Sequence, residues 1–296
     1  MLIRTLADLP ERSEQAIIIN VGTKLVSTLS LASALRFTGM PVLVIDCQLP
    51  ESDGSFEHFK ELNARFEFDL MQAPLRRHSA ALDVIFREVP ASKVLLVDSD
   101  VEILNADLFA LMRQFIDDER VFGAGLIEGP NWMSNQTGFA RHGYFEERMW
   151  IPLTMLNVAP VRMALDEGHS FGERQVFNDF APSTFVSRIM GSLRYRYPSF
   201  AKRRLRWLDP FRESHHGEKP WLVWHDTGSE LYRHLKYSVG DQFVGLPAGF
   251  HSRYAKHFSG VTNNKLNPGR ELGTALVDVE IYVRERLSEL YGIEMA

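Results

Sequence analysis

Lys93-Val-Leu-Leu-Val-Asp-Ser-Asp-Val-Glu-Ile-Leu104 is the stretch on which the fold turns. A short unbroken apolar run reads as a strand covered on both faces, and it ends in two carboxylates, Asp98 and Asp100. Two earlier segments repeat the pattern. Ala16-Ile-Ile-Ile-Asn-Val21 and Val42-Leu-Val-Ile-Asp46 are apolar runs. A helix-like stretch from Lys24 to about Phe37 separates them, and Gly39 and Pro41 close it. Phe66–Met71 reads as a third strand, Ser79–Arg87 as a helix, and Lys93–Val97 as the fourth strand. Continuous apolar strands alternating with helices predict an α/β fold, a Rossmann-like and mostly parallel sheet flanked by helices. Ligands in such sheets sit at the carboxyl ends of the strands, where Asn20, Asp46 and Asp98 all lie.

The second half is less regular. Arg120–Leu126 and Thr154–Val158 read as further strands, and Glu128–Trp150 as a long loop rich in glycine, asparagine and aromatic residues, of the kind that often carries function. No repeat or linker breaks the chain. We expect one domain over 1–296, with a regular first half to about residue 126 and a more variable second half over about 127–296.

Composition narrows the function classes. The 296 residues are 45% hydrophobic and 24% charged, with a formal net charge of -5 and a pI near 6.1. That is the profile of a globular protein, and it argues against a generally basic nucleic-acid binder. A single cysteine, Cys47, excludes an intramolecular disulfide framework and most cysteine-based zinc sites. Met1–Pro10 lacks the basic and apolar regions of a signal peptide, and no run approaches 18 apolar residues. The expected location is the cytoplasm.

Two carboxylates two residues apart at a strand end suit a hard divalent cation that keeps positions open for substrate phosphates. Clustered carboxylates in a cleft are costly without one.

On these residues the chain resembles glycosyltransferases of the A-type fold, which transfer sugars from nucleotide-diphosphate sugars. Asp98-Ser99-Asp100 is similar to their metal-binding Asp-x-Asp motif, including the strand before it and the Ile103–Leu111 segment after it. The resemblance implies that Asp100 binds Mn²⁺ or Mg²⁺ directly and that Asp98 contacts ribose or completes the metal shell. Asn20-Val-Gly-Thr23 sits where the family has its nucleotide-binding loop. Asp46 matches an acidic position that recognises base or ribose, and Leu75-Arg-Arg-His-Ser79 an arginine-containing turn near the diphosphate. Lys256-His-Phe-Ser-Gly-Val-Thr-Asn-Asn-Lys265 resembles a late His-Phe-x-Gly…Lys element. There His257 would complete the metal shell, with Gly260 and Lys265 against the diphosphate. The implied donor-binding set is Asn20, Thr23, Asp46, Arg77, Ser99, Gly260 and Lys265.

Trp221-Leu-Val-Trp-His-Asp-Thr-Gly228 holds a competing ligand, His225, although Asp226 and Thr227 read first as the N-terminal cap of a helix over Ser229–Tyr237. His215 and His216 read as surface-loop residues. An inverting transferase also needs a base on the acceptor hydroxyl. Family members place an acid after the acceptor-side strand, which here ends near Asn157. That makes Asp179 the candidate base and Glu173 the second, while a retaining enzyme would draw attention to Gln175 instead.

The partners implied are a nucleotide sugar and a carbohydrate or lipid-linked glycan acceptor, with no nucleic acid. The basic, aromatic segment 194–207, which includes Lys202, Arg203 and Arg204, suits peripheral contact with anionic lipid. Two other readings stay open: a haloacid-dehalogenase-like phosphatase with Asp98 as nucleophile and Asp100 as acid/base, and a degenerate domain that binds glycan without turnover.

Overall fold

Each apolar run is buried because alternate side chains of one strand enter two different cores. In β2 (Arg12–Asn20), Ala16 and Ile18 join one hydrophobic cluster, and Ile17 and Ile19 the other. In β3 (Val42–Cys47) and β5 (Ala91–Asp98) the residues divide in the same way. Val42, Val44, Leu95 and Val97 face one side, and Leu43, Ile45, Val94 and Leu96 the other. The computed structural model describes residues 1–47, 54–73, 78–132, 143–177, 222–246, 249, 253–258 and 273–295.

Those three strands join β1 (Leu2–Ile3), β4 (Asp69–Ala73), β7 (Val121–Glu128), β10 (Arg148–Asn157) and β13 (Gln242–Gly245) in one sheet. Its order is β1-β4-β3-β2-β5-β10-β7-β13. Every neighbouring pair is parallel except those of β10, which runs against both β5 and β7. One core lies under α1 (Lys24–Phe37), α2 (Ser55–Asn63), α4 (Asp107–Ile116) and α7 (Gly273–Tyr291). The opposite core lies under α3 (His78–Glu88), α5 (Val158–Asp166) and α6 (Ser229–Arg233). The fold is therefore α/β with a Rossmann-like, mostly parallel sheet between two helical layers. Among the described residues, no helix is long and apolar enough to cross a membrane.

Two smaller sheets flank the strand ends. β11 (Arg174–Phe177), β12 (Leu222–His225), β9 (Gly143–Phe145) and β8 (Asn131–Trp132) lie in that order, and β6 (Val101–Ile103) pairs with β14 (Ala255–His257). The β6–β14 ribbon is docked on α1 through hydroxyl groups. Ser30 Oγ accepts the Val101 N–H at 3.2 Å and Ser33 Oγ the Ile103 N–H at 3.1 Å. This is why a helix buried on nearly every side carries buried serines where leucine is the ordinary choice.

Four expectations need correction. The third strand starts at Asp69 rather than Phe66, because the Arg65 and Phe66 N–H groups still close the last turn of α2 on Leu62 O. Glu128–Trp150 is not simply a loop: β7 runs to Glu128, β8 and β9 lie within the span, and β10 starts at Arg148. Val158 opens α5 instead of ending a strand. Finally, neither Asp226 nor Thr227 caps the next helix with its side chain. Its N-cap is Gly228 in the left-handed region at φ 76°, a conformation glycine adopts without strain.

Candidate functional site

Register places the predicted carboxylates beside the predicted nucleotide loop. β2 lies between β3 and β5, with Asn20 opposite Asp46 and Ile19 opposite Asp98. Asn20 Nδ2 donates to Asp46 Oδ1 at 2.5 Å. Asn20 Oδ1 accepts the Thr23 N–H and the Thr23 hydroxyl, both at 3.1 Å. All three residues are buried. The turn after β2 is thus held open by polar side chains satisfied against one another, next to the strand that carries Asp98.

Asp100 and His257 are brought together by backbone pairing. In the β6–β14 ribbon His257 lies opposite Val101, and the Phe258 N–H donates to Asp100 O at 2.9 Å. His257 Nε2 then stands 3.3 Å from Asp100 Oδ1. One ligand atom from each of Asp98, Asp100 and His257 lies within 4.8 Å of the others. Trp150 meets the His257 ring edge-on, with centroids 5.3 Å apart and planes at 83°, which fixes the imidazole's orientation. Ser99 is buried between the two aspartates.

Electrostatics agree with that convergence. Burial pushes the Asp98 carboxyl above the ordinary carboxylate range. His78 and His257 pull it down, and Asp100 adds to the rise. Burial alone would lower His257, but the hydrogen bond and charge of Asp100, helped by Asp98 and Glu128, raise it instead. Asp98 and His257 thus both hold a proton more tightly than the free side chains do, and a bound divalent cation would displace it. Two carboxylates and an imidazole, one donor atom each, fit Mn²⁺ or Mg²⁺ with positions left for phosphate oxygens.

A cavity of about 330 Å³ opens beside this group. Asp98 and His257 line it together with Glu128, Arg148 and Asp226. Arg148 Nη2 lies 2.6 Å from Glu128 Oε2 and 3.5 Å from Asp226 Oδ2. Arg148 reaches this end of the sheet because β10 is reversed: its first residues lie at the carboxyl ends of its parallel neighbours. Trp150–Leu153 also form a bulge there. Met149 pairs with Ile127 and Thr154 with Gly125, so four residues face Leu126 alone.

Among the described residues, Asn157, Glu173, Gln175 and His225 do not line that cavity. The far end of β10 is the opposite edge of the sheet, where Asn157 pairs with Lys93 at the start of β5. The Asn157 amide is used on Ile116 O and Val121 O. Glu173 is exposed just before β11, and Gln175 pairs with Trp224 in the small sheet. His225 does not join the Asp98 group; among the described residues the histidine that does is His257. Burial, chiefly, holds His225 below the usual histidine range. Arg77, Asp179, His215, His216, Gly260, Lys265 and the 194–207 segment lie outside the described residues.

Sequence reasoning missed His78, Glu128, Arg148 and, as a cavity residue, Asp226. His78 was within reach: it stands in the quoted turn beside Arg77, and its Nε2 comes within 3.5 Å of Asp98 Oδ1. The other three come from strands and turns far apart in sequence.

No protein-family model and no curated protein matches the sequence. Solved structures with similar folds include glycosyltransferases. S. aureus TarS 1–349 is 14% identical at a TM-score of 0.36, over 58% of this chain and 52% of that one. The mannosyltransferase PcManGT from Pyrobaculum calidifontis, in complex with GDP-Man and Mn²⁺, is 12% identical at a TM-score of 0.40, over 71% and 69%. The 4-diphosphocytidyl-2C-methyl-D-erythritol synthase from Anaerococcus prevotii is 9% identical at a TM-score of 0.38, over 55% and 77%. The chain thus spans about half the length of the TarS chain it matches. These likenesses are remote, and what the protein does has to follow from its own residues.

Proposed function

We propose that the protein is a metal-dependent glycosyltransferase, hexosyltransferase-like, moving a sugar from a nucleotide-diphosphate sugar to a glycan or lipid-linked acceptor. The observation that carries this reading is the meeting of Asp98, Asp100 and His257 at the carboxyl edge of the sheet, beside the Asn20–Asp46 turn. In this reading the three residues hold Mn²⁺ or Mg²⁺, which supplies Lewis-acid stabilisation of the departing diphosphate. Asn20, Thr23, Asp46 and Ser99 shape the pocket for base and ribose, and Arg77, Gly260 and Lys265 serve the diphosphate. The cavity beyond takes the donor sugar and the acceptor hydroxyl.

Besides Asp98, two carboxylates line that cavity, Glu128 and Asp226. Both lie within ion-pair distance of Arg148, which positions them beside the cavity, where a carboxylate can take the proton of an acceptor hydroxyl. They join Asp179 as candidates for the base. The reading includes one domain, with about 1–126 serving the donor and about 127–296 the acceptor, in the cytoplasm, and with segment 194–207 meeting anionic lipid. A phosphatase of the haloacid-dehalogenase type carries its Asp-x-Asp on the first strand of its sheet, whereas Asp98 here ends β5.

The test is a thermal-shift panel of UDP, GDP, CDP and their sugars, with and without Mn²⁺, on wild type and Asp100→Ala. A ligand that binds only the native state raises apparent stability. We expect a Mn²⁺-dependent shift for one nucleotide that Asp100→Ala abolishes, together with slow metal-dependent hydrolysis of the matching sugar donor. A shift without any hydrolysis would mark a glycan-binding domain without turnover. No shift with any nucleotide would end the transferase reading.

A further inference from the structure

A second group of metal-ligating side chains lies in the opposite helical layer, at the seam between α5 and α6. Glu167, His169 and His234 each bring one ligand atom within 4.8 Å of the others. The local fold explains the meeting. After α5 the chain turns back through Gly168 at φ +94°, with the Gly168 N–H on Leu165 O and the His169 N–H on Ala164 O. This left-handed glycine turn is a common helix ending, and it leaves Glu167 and His169 flanking the glycine. His234 opens a π-helical turn over His234–Val239 directly after α6. Such turns are rare and are concentrated at functional sites.

The side chains are not explained by their contacts with one another. The His169 and His234 rings stack with centroids 3.7 Å apart and planes 23° from parallel. Glu167 Oε2 is 2.9 Å from His234 Nε2, yet that nitrogen is buried and makes no hydrogen bond. The oxygen lies off the ring's N–H direction. A nitrogen and an oxygen this close but not aligned on each other have the relation of two ligands that share a third atom; along a tetrahedral edge around zinc they stand about 3.3 Å apart. A second carboxylate, Glu230, lies near, its Oε1 3.8 Å from His169 Nδ1 and 3.2 Å from Arg174 Nη1. Imidazole nitrogens with one carboxylate suit Zn²⁺, Co²⁺ or Ni²⁺ rather than Mg²⁺ or Ca²⁺.

We propose that Glu167, His169 and His234 form a transition-metal site, separate from the Asp98 group, that binds Zn²⁺ or a cation of like preference and ties the end of α5 to the π-helical turn. The near-parallel rings converge on one ion when His169 turns about its Cβ–Cγ bond; with 29% of its side chain accessible against 14% for His234, it is the freer of the two. The tie has a structural consequence. Lys236 and Tyr237 of the same π turn bind Glu147, the residue before Arg148 of the cavity.

The experiment uses the full chain, stripped with a chelator and titrated with Zn²⁺ and with Co²⁺, in an Asp98→Asn/Asp100→Asn background that disables the first group. We expect saturable binding, a Co²⁺ visible absorption band with nitrogen ligation, and a rise in melting temperature. Adding His169→Gln and His234→Gln should cut Zn²⁺ affinity about tenfold or more. Affinity unchanged by those two substitutions overturns the proposal. Should the histidine variant fail to fold, wild type decides: Zn²⁺ should protect His169 and His234 from diethylpyrocarbonate, mapped by peptide mass spectrometry. Equal modification with and without Zn²⁺ overturns the proposal as well.

Discussion

Arg286 holds one carboxylate oxygen of Glu102 with two nitrogens, Nε at 2.8 Å and Nη2 at 2.6 Å. The Tyr282 hydroxyl donates to the other oxygen at 2.8 Å. Glu102 is wholly buried and sits on β6 two residues after Asp100, so the last helix grips the strand that carries the metal-ligand candidate. Lys256, the β14 residue opposite Glu102, lies with Nζ 3.3 Å from the centre of the Tyr282 ring. The strand after Asp100, the strand that carries His257 and the terminal helix are therefore one mechanical unit.

Arg286→Ala should cost on the order of 3 kcal/mol, because it leaves a buried carboxylate with half its partners. It should also weaken Mn²⁺ binding through a shift of β6, although Arg286 touches no metal ligand. Arg286→Lys keeps the charge but loses the two-nitrogen grip, and should fall between. Denaturant melts and Mn²⁺ titrations of the three proteins check this. Lowered stability with unchanged Mn²⁺ affinity would show that the clamp stabilises the chain without positioning Asp100.

Gly125 is a second point where packing reaches the site. A Cβ there would stand 2.7 Å from Thr154 Oγ1, whose hydroxyl closes the β10 bulge on Trp150 O at 2.5 Å. Gly125→Ala should therefore displace Thr154, loosen the bulge and release Trp150 from His257, at about 1–3 kcal/mol of stability. Nucleotide-dependent thermal shifts in the presence of Mn²⁺ should shrink with it. A variant with wild-type melting temperature and wild-type shifts would mean that the bulge tolerates the methyl group.

The parallel core was legible because its strands are buried on both faces, which leaves an uninterrupted apolar run such as Ile17–Ile19 and no periodicity to misread. Asp98 and Asp100 were legible for the same reason: they stand where such a run stops. The direction of β10 was not legible. An apolar run reads the same whichever way the strand is laid in the sheet, and its reversal carries Arg148 and Trp150, rather than Asn157, to the site. Glu128 ends β7 and Asp226 follows β12 of the small sheet, and only the tertiary fold brings the two together at Arg148. The starting point of β4 was missed because Phe66 carries an apolar side chain while its backbone still belongs to the end of α2.

Cys47 should be inert in the native protein. It follows Asp46 on β3, and burial, with the Asp46 charge beside it, pushes the thiol up to about 12. At pH 8 almost no thiolate exists to react. Ellman's reagent should report no accessible thiol until denaturant is added, and one thereafter. Rapid native labelling would mean that β3 opens locally on the timescale of the assay.

Acid should expose the contribution of Glu147. Its Oε1 accepts from Lys236 Nζ at 2.6 Å and from the Tyr232 and Tyr237 hydroxyls, each at 2.9 Å. Burial would raise this carboxyl, but the Lys236 bond and the two hydroxyls outweigh it and hold it below the ordinary glutamate value. The folded pKa is therefore below the unfolded one, about 4.3. The stability it supplies is present in full above that pH and is lost as pH falls through the folded value. Glu147→Gln should be less stable than wild type at pH 7, and the gap should close steadily on acidification below about pH 4. Denaturant melts of both proteins across that range measure the gap directly. A gap that stays constant would assign the contribution to hydrogen bonding that does not depend on the charge.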